Sequence, residues 1–120
     1  MYRFSAIATS VLCLVLFAVF LVAPGVYSEL YGVTGDRGGD FLGRRASAMF
    51  LGLAAILWLT RNEPISTARS AISYGIAFVF AGVAFTGLFE FGRGNANFSI
   101  VVAAVGELVI AFVFLLTTRR

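Results

Sequence analysis

Four long apolar runs organise this chain: Phe4 to Ala23, Phe41 to Thr60, Ala71 to Phe89 and Phe98 to Leu116, separated by short polar breaks. Each is close to the roughly 20 residues that carry a helix across a hydrocarbon slab of about 30 Å. A bilayer interior offers no water to unsatisfied backbone groups, and none of the runs alternates in the manner of a strand, so helix is the spanning form. The predicted fold class is all-α membrane, with four antiparallel transmembrane helices in a single bundle forming one domain over residues 1–120.

Composition agrees and removes several chemistries. Hydrophobic residues make up 60% of the chain and charged ones only 12%, about half the charge that a soluble surface carries. There is no histidine, which takes away the usual haem ligand, the commonest zinc ligand and the most frequent general acid and base. Cys13 is the one cysteine, so neither an internal disulfide nor a Cys-x-x-Cys redox or metal pair is available; it reads as a small packing residue. All nine cationic residues are arginine, with a net charge of +3, and they are scattered rather than gathered on one segment as a nucleic-acid surface requires. No cofactor, no metal and no nucleic acid is expected.

Arg3, the first apolar run and Val26-Tyr27-Ser28 together have the outline of a secretory signal, but the run exceeds the core of about 7–15 residues that such signals carry. It is read as a span, ended by Pro24 and Gly25. With the N-terminus inside, Arg3, Arg61, Arg69, Arg119 and Arg120 fall on the cytoplasmic side and Arg37, Arg44, Arg45 and Arg93 on the other. That bias, sharpened if Arg44 and Arg45 lie partly within the slab, places both termini in the cytoplasm. The outer segment from Pro24 to Asp40 holds glycines with Glu29, Asp36 and Asp40, but has neither a nucleotide-loop ending nor calcium-loop spacing, and reads as a flexible connector. Glu63-Pro64 supplies a start signal for the third span.

Charge within the slab is the most informative feature, because an ionised side chain at mid-bilayer costs from about 2.5 to more than 10 kcal/mol. Glu107 lies near the middle of the fourth run. Ala103, Ala104, Gly106 and Ala111 around it let another helix approach, so Glu107 is expected to face protein. From Ala46 to Thr60 the second run is only about 22 Å long, so its helix must reach back through Arg45 and Arg44 to about Asp40. One of those guanidinium groups is then a partner for Glu107, with Glu90 or Asp40 as further members. The candidate site is an intramembrane polar cluster of Arg44, Arg45, Glu107 and Glu90. Two roles are open to it. Fixing helix register and partner choice is favoured; the other is a proton- or cation-coupled site, against which a permanent arginine partner weighs, since a carrier's carboxylate must load and release its ion. Ala48 with Gly52, and Ser73 with Ala77 and Ala81, form ridges that read as packing surfaces. Ser5, Thr9 and Cys13 make a mildly polar stripe whose hydroxyls are expected to bond within their own helix.

Ala23-Pro24-Gly25, then Phe41-Leu42-Gly43-Arg44-Arg45, Phe50-Leu51-Gly52-Leu53-Ala54, Trp58-Leu59-Thr60-Arg61 and Ser66-Thr67-Ala68-Arg69-Ser70-Ala71-Ile72 resemble a widespread group of small bacterial four-helix inner-membrane proteins. In that group an arginine recurs near the start of the second helix and a Trp-x-x-Arg at its end, matched here by Arg45 and by Trp58 to Arg61. The resemblance implies a bacterial inner membrane and four spans, and brings no activity with it. The functional expectation is a multi-pass protein without evident chemistry, an accessory or scaffold subunit that meets the lipid bilayer and either itself, as a homo-oligomer, or a larger membrane-protein complex. The alternative is a small oligomeric proton- or cation-coupled transporter or channel using Glu107. An intramembrane enzyme ranks last, since no paired acids on a cytoplasmic loop would hold magnesium and diphosphate.

Overall fold

The computed structural model describes residues 1–34 and 36–118; Arg119 and Arg120, counted above among the cytoplasmic arginines, lie outside the described residues. Among the described residues five helices follow in order: α1 (Tyr2–Val22), α2 (Pro24–Leu30), α3 (Arg37–Leu59), α4 (Thr67–Gly92) and α5 (Ser99–Thr117). Four of them, all but α2, are long and apolar enough to cross a membrane. The expected backward extension of the second span is present and goes further than Asp40. Helix α3 begins at Arg37, where the Asp36 carboxylate accepts the Gly39 amide at 2.6 Å and caps the first turn.

Two local readings are corrected. Pro24 and Gly25 do not merely end α1; Pro24 takes the first position of a new seven-residue helix, where its missing N–H costs nothing. The segment from Pro24 to Asp40 is therefore helical over Pro24–Leu30 and again from Arg37. Glu63-Pro64 does not open α4 either. Ser66 does so, its hydroxyl accepting the Arg69 amide at 3.1 Å.

Hydrogen bonds set the direction of the helix pairs. Tyr2 meets Thr60 (3.1 Å) and Ser10 Oγ donates to the Ala54 carbonyl (2.8 Å), so α1 and α3 run in opposite directions. Ser73 meets Thr117 (2.8 Å) and Ser70 Oγ donates to the Thr118 carbonyl (3.4 Å), giving α4 and α5 the same relation. The two hairpins touch through a sparser seam between α1 and α5, where the Tyr2 and Phe114 rings stand edge to face at 6.3 Å. Helices α3 and α5 share no extended interface. The molecule is correspondingly flat, 44 by 28 by 17 Å.

Burial is concentrated at one end. The buried cluster comprises Tyr2, Ala6 and Cys13 of α1, Ala54 and Leu57 late in α3, Ile76, Ala77 and Phe80 in the first half and middle of α4, and Ala111 and Phe114 late in α5. Most of these lie toward the end where α1 begins and α5 finishes, with Cys13 and Phe80 at mid-helix. Small residues make the close approach possible there, since in a bilayer helices associate through shape and interhelical hydrogen bonds rather than exclusion of water. Ser73 and Ala77 are buried as the ridge argument expects, whereas Ala48 and Gly52 face outward, with nothing within 4 Å of a Cβ placed on Gly52. The opposite end is more open: α2 packs on α1 and α3 there, and the turn after it bonds to Asn97.

Candidate functional site

The open end is built by two similar helix stops. Helix α2 ends at Gly32, whose φ of +74° is the left-handed region that favours glycine; its N–H bonds the Glu29 carbonyl and the Val33 N–H bonds that of Ser28. Helix α4 ends the same way at Gly94 (φ +78°), with Gly94 N–H on the Phe91 carbonyl and Asn95 N–H on that of Glu90. The second turn folds Asn95 back over the helix end, and its side-chain amide donates to a Glu90 carboxylate oxygen at 2.8 Å. Asn97 ties the two stops together: its backbone N–H donates to the Tyr31 carbonyl (2.8 Å) and its side-chain amide to that of Leu30 (3.2 Å).

Between these walls lies a cleft of about 650 Å³ lined by Tyr27, Tyr31, Val83, Thr86, Glu90 and Ile100, among others. Tyr27 belongs to an aromatic chain that crosses three helices: Phe50 stacks on Phe20 at 5.3 Å, Phe20 meets Tyr27 at 4.5 Å, and Tyr27 meets Tyr31 edge to face at 4.9 Å. Burial pushes the Tyr27 phenol above its ordinary range, and neighbouring Tyr31 and Glu107 act in the same direction, so the phenol remains neutral. Gly87 closes the wall against α5, where a Cβ would stand 3.0 Å from the Ile100 side chain.

The four residues singled out from the sequence fall in separate places. Glu107 lies half-buried on α5 between buried Ala104 and Ala111. Glu90 stands at the cleft with Asn95. Arg44 and Arg45 are both exposed at the start of α3: Arg44 Nε donates to the Leu21 carbonyl at 3.3 Å, and the Arg45 guanidinium sits 5.9 Å from the Phe41 ring centre. Among the described residues, no hydrogen bond joins either arginine to Glu107 or Glu90. Arg37, Asp40, Phe41, Arg44 and Arg45 line a second recess of about 500 Å³ on this outer flank of α3.

Ser10, the cleft tyrosines and Asn95 were not among the sequence candidates. Ser10 bonds across to α3 rather than within its own helix, which only the pairing of α1 with α3 reveals. Asn95 had a readable signal: Gly94-Asn95 after an apolar run is a helix stop of the kind that turns the next side chain back. No protein-family model matches the chain, and no curated protein or solved structure matches it.

Proposed function

We propose that this chain is a multi-pass protein of the bacterial inner membrane, its four spans an antiparallel bundle with both termini in the cytoplasm, and that it serves as an accessory or scaffold subunit of a larger membrane complex. The observation that carries this reading is the outer flank of α3. Three guanidinium groups, Arg37, Arg44 and Arg45, share one recess with a single acid, Asp40. On the same exposed helix surface Ala48 and Gly52 leave room for another helix to approach. An acidic residue near the outer end of a partner's span would satisfy the arginines by bidentate contact, which is how the intramembrane pairing expected for Arg44 or Arg45 is completed from another chain. Extraction in native lipids is expected to yield a defined larger complex, and Arg44→Ala with Arg45→Ala to release this subunit from it while leaving its helical content unchanged. Elution of the double variant with an undiminished complex would sink the reading.

A second reading, a small oligomeric proton- or cation-coupled transporter, is favoured by one observation. Glu107 is half-buried on the packed side of α5, between buried Ala104 and Ala111, without an arginine bonded to it among the described residues. Under this reading Glu107→Gln abolishes pH-driven uptake by reconstituted vesicles. Under the scaffold reading vesicles carrying the unaltered protein show no such uptake, and the substitution chiefly weakens assembly.

A further inference from the structure

We propose that the cleft between α2 and the α4–α5 turn is a binding site for an organic ammonium group carrying an apolar body. The inference is independent of the subunit reading, which rests on a different set of residues, Arg37, Asp40, Arg44 and Arg45.

Three properties of the cleft select this chemistry. First, its charge has one sign: Glu90 is the only charged side chain among its described lining residues, and Arg93, three residues on, turns its guanidinium over Phe89 at 5.5 Å instead. Second, the carboxylate is held in place. Asn95 holds one oxygen at 2.8 Å, and the other accepts no hydrogen bond among the described residues. Third, the remaining walls suit a poorly hydrated cation. Tyr27 and Tyr31 line the cleft with aromatic rings, while Val83 and Ile100 line it with hydrocarbon. A small inorganic cation prefers several oxygen ligands and would leave those walls unused. An alkylated ammonium uses both, and about 650 Å³ lies within the range of sites that hold compounds of this size.

The site is also built in advance. The two left-handed glycines fix the helix ends that frame it, and the two Asn97 bonds lock one wall to the other. Binding therefore need not order a loop, which is where affinity is commonly lost. The ammonium group has two sources at the edge of a bilayer, a lipid headgroup or a free solute.

Benzyltrimethylammonium and its uncharged carbon isostere neopentylbenzene separate the contributions. With the purified protein in bilayer discs of phosphatidylglycerol alone, equilibrium dialysis is expected to show the cation bound at least about tenfold more tightly than the isostere. Glu90→Gln is expected to remove about tenfold of the cation's affinity and none of the isostere's, and Tyr31→Leu to weaken the cation about fivefold. Both variants are compared at equal helical content. Adding phosphatidylcholine to the discs displaces the probe if the natural occupant is a lipid headgroup, and leaves it bound if the occupant is a free solute. Equal binding of the two probes, or a Glu90→Gln affinity within twofold of the unaltered protein, would overturn the proposal.

Discussion

Replacement of Phe114 by alanine is expected to lower the stability of the fold by about 3–5 kcal/mol, read as the loss in unfolding free energy of the reconstituted protein. Phe114 is fully buried, and its ring meets Tyr2 edge to face across the seam where the two hairpins touch. A bilayer gives little hydrophobic reward for that burial, because lipid tails are as apolar as the ring. What is lost is dispersion contact and the fit of a void that its neighbours cannot collapse into, Ala111 and Thr117 being small and already buried. The Thr117 hydroxyl also donates to the Phe114 carbonyl at 2.6 Å, so this turn of α5 joins a packing contact to a hydroxyl pair. Since the α1–α5 seam is sparse, Phe114→Ala should also let the hairpins separate before either unfolds. A pair of labels, one on each hairpin, would report that as increased distance below the main transition. A change of less than about 1 kcal/mol would contradict this account of the seam.

Ser73→Leu is expected to be nearly as damaging, at about 2–4 kcal/mol, whereas Ser73→Ala should cost only about 0.6 kcal/mol. Ser73 has no exposed surface, and its hydroxyl meets that of Thr117 at 2.8 Å between α4 and α5. Losing the hydroxyl forfeits one interhelical hydrogen bond, whose worth in a membrane is modest. Adding a branched side chain forces the helix backbones apart along a ridge that continues through buried Ala77. The ratio of the two effects is the diagnostic: comparable losses would mean that the hydrogen bond, not the close approach, holds this hairpin.

The backward reach of α3 illustrates what could be read in advance. Ala46 to Thr60 is too short to cross a bilayer, and that length alone put Arg44 and Arg45 inside the helix. The same arithmetic says nothing about which way the guanidinium groups turn. The sequence reading gives one of them to Glu107; the structure gives Arg44 the Leu21 carbonyl and Arg45 the Phe41 ring, because α3 packs on α1 and makes no extended interface with α5. Glu90 was named as a member of that cluster, and its observed setting beside Asn95 and the tyrosines depends on Gly94 turning the chain back. Pro24 carried a signal open to two meanings. A proline can follow the end of one helix or occupy the first position of the next, and here it does both within two residues.

The number of long apolar helices and their approximate lengths follow from local chemistry: backbone groups in a bilayer must bond within their own segment, and caps such as Asp36 and Ser66 act over three residues. Partner choice has no such local signature. Spans that are apolar on every side show no face that must be hidden from water, so the α1–α3 and α4–α5 pairs, the core at one end and the cleft at the other were decided by the fit of small side chains and a few hydroxyls between helices far apart in the chain.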